Sequence, residues 1–266
     1  MPSNQSPSRF VRTVRRRWDR FRWRGGRSTV LAGPGRGLLF TASAASAEYV
    51  EGTNELPVQR RIVDVLTPGA TFVDIGANAG FFSLLAARCV GPSGSVVAFE
   101  PVEELARSAR ANAELNDFRW MEVRNCAVGA SRCTATLEIT EHAGGATLAG
   151  NADPAEVTSC VEVEVVSLAA LLDEGAIAEP DLIKIDVEGY EFPVLDGIEP
   201  LFTRRRPVMI IELDAPDDSE LAVRCDQMVR RLCALGFTVE HLEPSYVGTD
   251  WSVAHLFASD GGQRAF

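Results

Sequence analysis

The chain has 266 residues, of which 46% are hydrophobic and 24% charged, with a net charge of −11 and three His. This composition excludes global disorder and leaves room for one large α/β domain with a short appendage; no apolar run approaches the roughly 18–20 residues of a membrane span. The six Cys form no C-x-x-C pair and several lie in apolar runs, which argues against structural zinc and suits reduced thiols in a cytoplasmic chain.

The charge is unevenly spread. Residues 1–36 hold ten Arg against one acid, Asp19, and carry +9, so the remaining 230 residues carry −20. An acidic body argues against nucleic acid as a partner. Of the 26 basic residues, 25 are Arg, and the one Lys is Lys184.

Taken in chain order, residues 9–24 place Phe10, Val14, Trp18 and Phe21 on one stripe of a short basic helix, which Gly25-Gly26 ends. The basic arm, 1–30, either lies on the acidic body or docks on an acidic partner or membrane surface. Leu38, Leu39 and Phe40 suggest a short strand, and 55–66 a helix. From residue 71 apolar runs alternate with helical segments: strands at 72–75, 95–99, 119–124, 181–186, 208–213, 237–240 and 252–258, and helices at 80–90, 102–116, 190–202 and 218–235. Such alternation predicts a mostly parallel sheet with helices on both faces. The segments 132–140 and 157–166 alternate polar and apolar residues and read as an inserted β-hairpin, about 130–166, around a loose loop.

Three segments carry chemistry. The first is Asp74-Ile-Gly-Ala-Asn-Ala-Gly80, between a strand and an apolar helix, where Gly76 and Gly80 permit a tight turn and an acid ends the strand. A nicotinamide loop would read G-x-G-x-x-G; an acid here suits a ligand with an ammonium group. The second is Glu100, ending the next strand, where a doubly wound fold presents an acid to ribose hydroxyls. The third is Lys184-Ile-Asp186-Val-Glu188, where alternation puts Lys184 and Asp186 on one face near the carboxyl end of a strand. Lys, unlike Arg, has a compact ammonium that releases its proton when desolvated.

Together these segments, with VDIGANAGFFSLLAA, GSVVAFEP, NAELN, LIKIDVEGYEFPVLDG and VMIIELD, resemble the FkbM family of S-adenosylmethionine-dependent methyltransferases, from roughly Tyr49 to Leu213. The segment Tyr49-Val-Glu-Gly-Thr-Asn-Glu55 is similar to the family's lead-in. The resemblance implies a Rossmann-like seven-stranded class I methyltransferase fold over residues 31–266. It implies methylation of a hydroxyl on a small-molecule acceptor, a secondary metabolite or sugar moiety, with S-adenosyl-L-methionine as cofactor. Carried over by position, Asp74, Gly76, Asn78 and Gly80 would hold the methionine end and sugar, Glu100 the ribose hydroxyls, and Asn125 to Ala127 the adenine. Asp186 and Glu188 would face the transferred methyl.

The candidates for the base are Asp186, Glu188, Glu212 and His142, with Lys184 as an orienting or catalytic ammonium. Mg2+ held by Asp186, Glu212 and Asp214 is an alternative that is not adopted. Two other readings stay open: a cofactor-binding docking protein of a biosynthetic assembly without turnover, and a nucleic-acid methyltransferase, against which the acidic body counts. The sequence leaves the oligomeric state open.

Overall fold

The computed structural model describes residues 26–41, 47–140, 146–148, 157–246 and 252–261. The basic arm up to residue 25 and His142 lie outside the described residues. The described chain runs β1 (Arg27–Thr29), β2 (Leu39–Thr41), α1 (Ala47–Glu51), α2 (Leu56–Val65), β3 (Thr71–Ile75), α3 (Phe81–Val90), β4 (Ser95–Phe99), α4 (Glu103–Leu115) and β5 (Met121–Arg124). It continues with β6 (Ala127–Val128), β7 (Cys133–Thr140), β8 (Ala146–Leu148), β9 (Val157–Val166), α5 (Leu168–Asp173), β10 (Leu182–Ile185) and α6 (Glu191–Ile198), which a 3-10 turn, Glu199–Thr203, extends. Last come β11 (Val208–Ala215), α7 (Asp218–Ala234), β12 (Phe237–His241) and β13 (Ser252–Asp260).

Seven strands form one sheet in the order β12-β13-β11-β10-β3-β4-β5. Strands β11, β10, β3, β4 and β5 pair in parallel, and β13 enters antiparallel between β11 and β12. The order reverses between β3 and β10, the switch point at which doubly wound sheets open a crevice beyond their carboxyl ends. This is the class I arrangement expected from the sequence.

Strand alternation divides the core in two. Val73, Ile75, Val97, Ile183, Ile185 and Ile211 pack beneath α5, α6 and α7. Phe72, Val96, Ala98, Leu182 and Ile210 pack beneath α2 and α3. Both sheet faces are covered, so the strands read as almost continuous apolar runs. Polar side chains on the second face, at Asp74, Lys184, Glu212 and His255, are therefore enclosed. Among the described residues no helix is long and apolar enough to cross a membrane.

Helix ends follow local chemistry. Asp217 caps α7 by accepting the backbone N–H of Ser219 and Glu220, and Ser167 caps α5 through Ala170. The sequence signalled the inserted hairpin; the structure pairs β7 with β9 antiparallel and adds β8 and the short β6 to make a second sheet, β6-β9-β7-β8. Strand β1 pairs with β2, so the expected boundary at residue 30 falls within a hairpin.

Candidate active site

The carboxyl ends of β3, β4 and β10 frame an open cleft. Its floor includes Gly76, Asn78, Phe99 and Glu100; the loop after β10 supplies Asp186, Glu188 and Tyr190. Gly76 sits at φ 83°, and a Cβ there would lie 1.7 Å from the Asp186 carbonyl oxygen. The glycine is required because the β10 loop crosses directly over it, locking the two loops together. Gly80 serves packing instead: at φ 86°, a Cβ there would lie 3.0 Å from the Cβ of Ala109 on α4. It does not line the cleft.

Glu100 is 5% exposed and accepts two backbone hydrogen bonds, from Asn78 N and Val102 N, both at 2.8 Å. Burial outweighs those bonds and pushes its carboxyl up to about 7. Each carboxylate oxygen has a further lone pair, so ribose hydroxyls can still donate to it. Asn125 donates to the Glu100 and Pro101 carbonyls and pins this turn; Cys126, Ala127 and Val128 line the cleft.

Asp74 lies beneath the cleft floor, wholly buried. One oxygen accepts from Ser83 Oγ at 2.5 Å, while Oδ1 is buried without a hydrogen-bond partner. Burial raises its carboxyl above the ordinary range against the Lys184 charge. Lys184 itself is 1% exposed and reaches Asp186 Oδ2 at 2.7 Å, with its ammonium 4.7 Å from the centre of the Phe82 ring. Burial would push the ammonium down, but Asp186, Asp74, Glu55 and Glu212 outweigh it and hold it protonated. Lys184 therefore lies behind the wall and acts through Asp186. Glu188 sits at the cleft mouth with φ 48°, exposed.

A neighbouring network escaped the sequence reading. His255 of β13 stands directly opposite Glu212 of β11, and its Nε2 lies 2.6 Å from Glu212 and 3.2 Å from Glu55. Tyr246 Oη donates to Glu55 at 2.8 Å. Burial disfavours the imidazolium, but hydrogen bonds to Glu212 and Glu55 and their charges hold His255 up at about 10. Burial and the charges of Asp186 and Glu55 raise Glu212. The advance signals were Glu212, a candidate base, and Glu55, in the lead-in segment; nothing pointed to His255 or Tyr246.

The alternative cation set of Asp186, Glu212 and Asp214, not adopted from the sequence, is not brought together among the described residues: Lys184 engages Asp186, and His255 engages Glu212. Among the described residues, the ligand atoms that converge are those of Glu55, Glu212 and His255, within 4.8 Å of one another. Their mutual hydrogen bonds already occupy them.

This network makes stability pH-dependent. The folded state keeps a proton on His255 that the unfolded chain loses above about 6.5. Its stabilisation is complete below that pH and is lost as pH rises towards 10, at no more than about 1.4 kcal/mol per pH unit. Thermal melts between pH 7 and 9.5 should show a steady decline, and His255→Gln should flatten it. An equally steep decline in the variant would place the effect elsewhere.

Residues 74–239 match the methyltransferase FkbM domain. The chain belongs to the FkbM methyltransferase family. It is 32% identical over 213 residues to the 31-O-demethyl-FK506 methyltransferase FkbM of Streptomyces tacrolimicus, covering 70% of this chain and 79% of that protein. It is also 39% identical over 64 residues to an arsenite methyltransferase of Halobacterium salinarum, covering 24% of this chain and only 16% of that protein's length. Among solved structures, methyltransferase FkbM from Methylobacillus flagellatus superposes with a TM-score of 0.46 at 15% identity, covering 76% of this chain and 50% of that one.

The FkbM domain's cleft suits S-adenosylmethionine in its donor set. Its lining combines the apolar Phe99, Cys126 and Val128 with the carboxyl groups of Glu100 and Asp186. Those surfaces suit a purine, a ribose and a cationic sulfonium.

Proposed function

We propose that the protein is an S-adenosylmethionine-dependent O-methyltransferase acting on a hydroxyl of a small molecule, a secondary metabolite or sugar moiety. The observation that carries this reading is Asp186: a cleft-lining carboxylate, a quarter exposed, held by a buried ammonium at the end of the strand beside the switch point. The name of the Streptomyces relative, which describes methylation at an oxygen, supports the same acceptor chemistry.

When bound, the cofactor supplies a methyl already activated on sulfonium. Glu100 would accept the ribose hydroxyls, and the turn of Gly76 to Asn78 would shape the floor beneath the sugar. Asp74, under that floor, would add negative potential towards the cationic end. Asp186 would orient the acceptor hydroxyl and take its proton as the oxygen attacks. A positioned base contributes roughly 10²–10⁴ in rate, and orientation adds to it. Lys184 holds the Asp186 carboxyl in place through its 2.7 Å hydrogen bond.

Titration calorimetry tests the cofactor assignment. The chain should bind S-adenosylmethionine and S-adenosylhomocysteine and show no heat with NAD. Glu100→Ala should weaken S-adenosylhomocysteine at least tenfold, about 1.4 kcal/mol, the scale of one lost charge-assisted hydrogen bond. An unchanged affinity would remove Glu100 from the ribose site.

A further inference from the structure

The loop after β10 is held at both ends. At its start, Asp186 N donates to the Ile75 carbonyl at 2.9 Å, and the Asp186 carbonyl lies over Gly76. At its end it turns sharply. Tyr190 N donates to the Val187 carbonyl at 3.3 Å, and the two residues between, Glu188 and Gly189, have φ of 48° and 94°. Two successive positive φ values mark a turn of the I′ kind, which favours Gly, Asn or Asp. Gly189 fits it. Glu188 fits poorly, because a Cβ in the left-handed region crowds the backbone. A long side chain keeps that conformation where its surroundings impose it.

The imposing group is Glu191, the first residue of α6 and 1% exposed. Its Oε1 accepts the Gly189 N–H at 2.8 Å, and its Oε2 accepts Arg224 Nη2 at 2.6 Å. One carboxylate thus ties the turn to α7, 33 positions along the chain. A carboxylate this enclosed needs a compensating cation, which Arg224 supplies. Arg224 Nε is buried without a hydrogen-bond partner, so the guanidinium is placed for Glu191 at the expense of its own satisfaction. Asp186, Val187, Glu188 and Tyr190 line the cleft, whereas neither Glu191 nor Arg224 is among its lining residues. Whatever this pair does to the cleft, it does through the turn.

We propose that Glu191 and Arg224 form a clasp that holds the 187–190 turn in its left-handed form, so that Glu191 is a positioning residue for the carboxylates of Asp186 and Glu188. This rests on the methyl-transfer reading above. It puts control of those carboxylates in α6 and α7, outside the cleft. Without the clasp, Glu188 returns to the ordinary right-handed region, which moves its carboxylate and frees the backbone that follows Asp186.

Two single variants test it. Glu191→Gln keeps an oxygen for the Gly189 N–H and nearly the same volume, but removes the charge that Arg224 holds. Arg224→Met removes the partner. In both, amide hydrogen exchange over residues 186–190 should quicken. In both, kcat for a hydroxylated acceptor that the wild-type chain turns over should fall by about tenfold or more, as misplacement of reacting groups causes. The Kd for S-adenosylhomocysteine should stay within about twofold. Arg224→Lys, which keeps a cation at a contact made through one nitrogen, should retain most of the turnover. The double variant Glu191→Gln/Arg224→Met should lose little more than either single one, because both remove the same contact. Melting curves identify a variant that fails to fold, and Arg224, less enclosed than Glu191, gives the second route. Folded Glu191→Gln protein with wild-type exchange and wild-type kcat would overturn the inference. So would faster exchange with kcat unchanged, since the clasp would then be a structural tie alone. A wild-type chain that does not bind S-adenosylhomocysteine would instead overturn the cofactor reading, while the exchange measurement, which needs no ligand, would still report on the clasp.

Discussion

Replacing Lys184 with Met should cost the fold about 3–5 kcal/mol, the range for removing one partner of a buried ion pair. The substitution keeps most of the aliphatic stem above Phe82 and deletes only the charge and its donors. What remains is the electrostatic deficit. Asp186 loses a 2.7 Å hydrogen bond, and Asp74, wholly buried with one oxygen already without a partner, loses the cation that offsets its enclosure. Glu55 and Glu212 lie in the same field and lose a compensating charge with it. For a domain of this size, such a loss lowers the melting temperature by roughly 10 °C. The deficit should shrink on acidification: Asp74 is raised by burial, so the fold takes up its proton at a higher pH than the unfolded chain and gains stability as pH falls. Lys184→Arg should also destabilise, because a planar guanidinium needs more room than a site that is 1% exposed provides. A Lys184→Met protein that melts like wild type would show that these carboxyls are neutral without help.

Much of this is legible in the sequence because one rule governs it. In a parallel sheet covered on both faces, alternation assigns side chains to faces, and ligand chemistry collects at the carboxyl ends. That rule places Lys184 and Asp186 together, and the register sets Lys184 opposite Asp74 on β3 and Ile210 on β11. Depth is not legible. Alternation gives the face of Asp74 and Lys184 but not the thickness of α2 and α3 above them, so by pattern alone both face the ligand, whereas in the fold they lie behind the wall. Gly80 has the pattern of a ligand-approach glycine, yet its partner is Ala109 on a helix that no local pattern connects to it.

The His255 network is illegible for a different reason. Glu55 and His255 are 200 positions apart, and their meeting depends on the antiparallel entry of β13 beside β11. No spacing rule reaches that far. The insert lies between these cases. Its long strands β7 and β9 show their period of two, whereas β6, with two residues, and β8, with three, are too short to show any period. Leu148, which lines the cleft, sits in the shorter kind.

The largest effect on turnover should come from Asp186→Asn. The exchange is nearly isosteric, so it preserves the shape of the cleft and the close approach that forces glycine at position 76, which involves the Asp186 backbone carbonyl and not its side chain. It removes the negative charge and the ability to take a proton. If Asp186 orients the acceptor hydroxyl and receives its proton, kcat should fall by about 10²-fold or more while the Kd for S-adenosylhomocysteine stays within about twofold. Transfer of labelled methyl groups to a hydroxylated acceptor that the wild-type chain turns over gives the first quantity, and calorimetry the second. Glu212→Gln is the informative comparison. Glu212 lies on the adjacent strand, raised by burial and by the charges of Asp186 and Glu55, and its carboxylate is occupied by His255. It should therefore lose far less turnover than Asp186→Asn. The reverse order, with Glu212→Gln inactive and Asp186→Asn active, would move the proton acceptor one strand along the sheet, to the carboxylate that His255 holds.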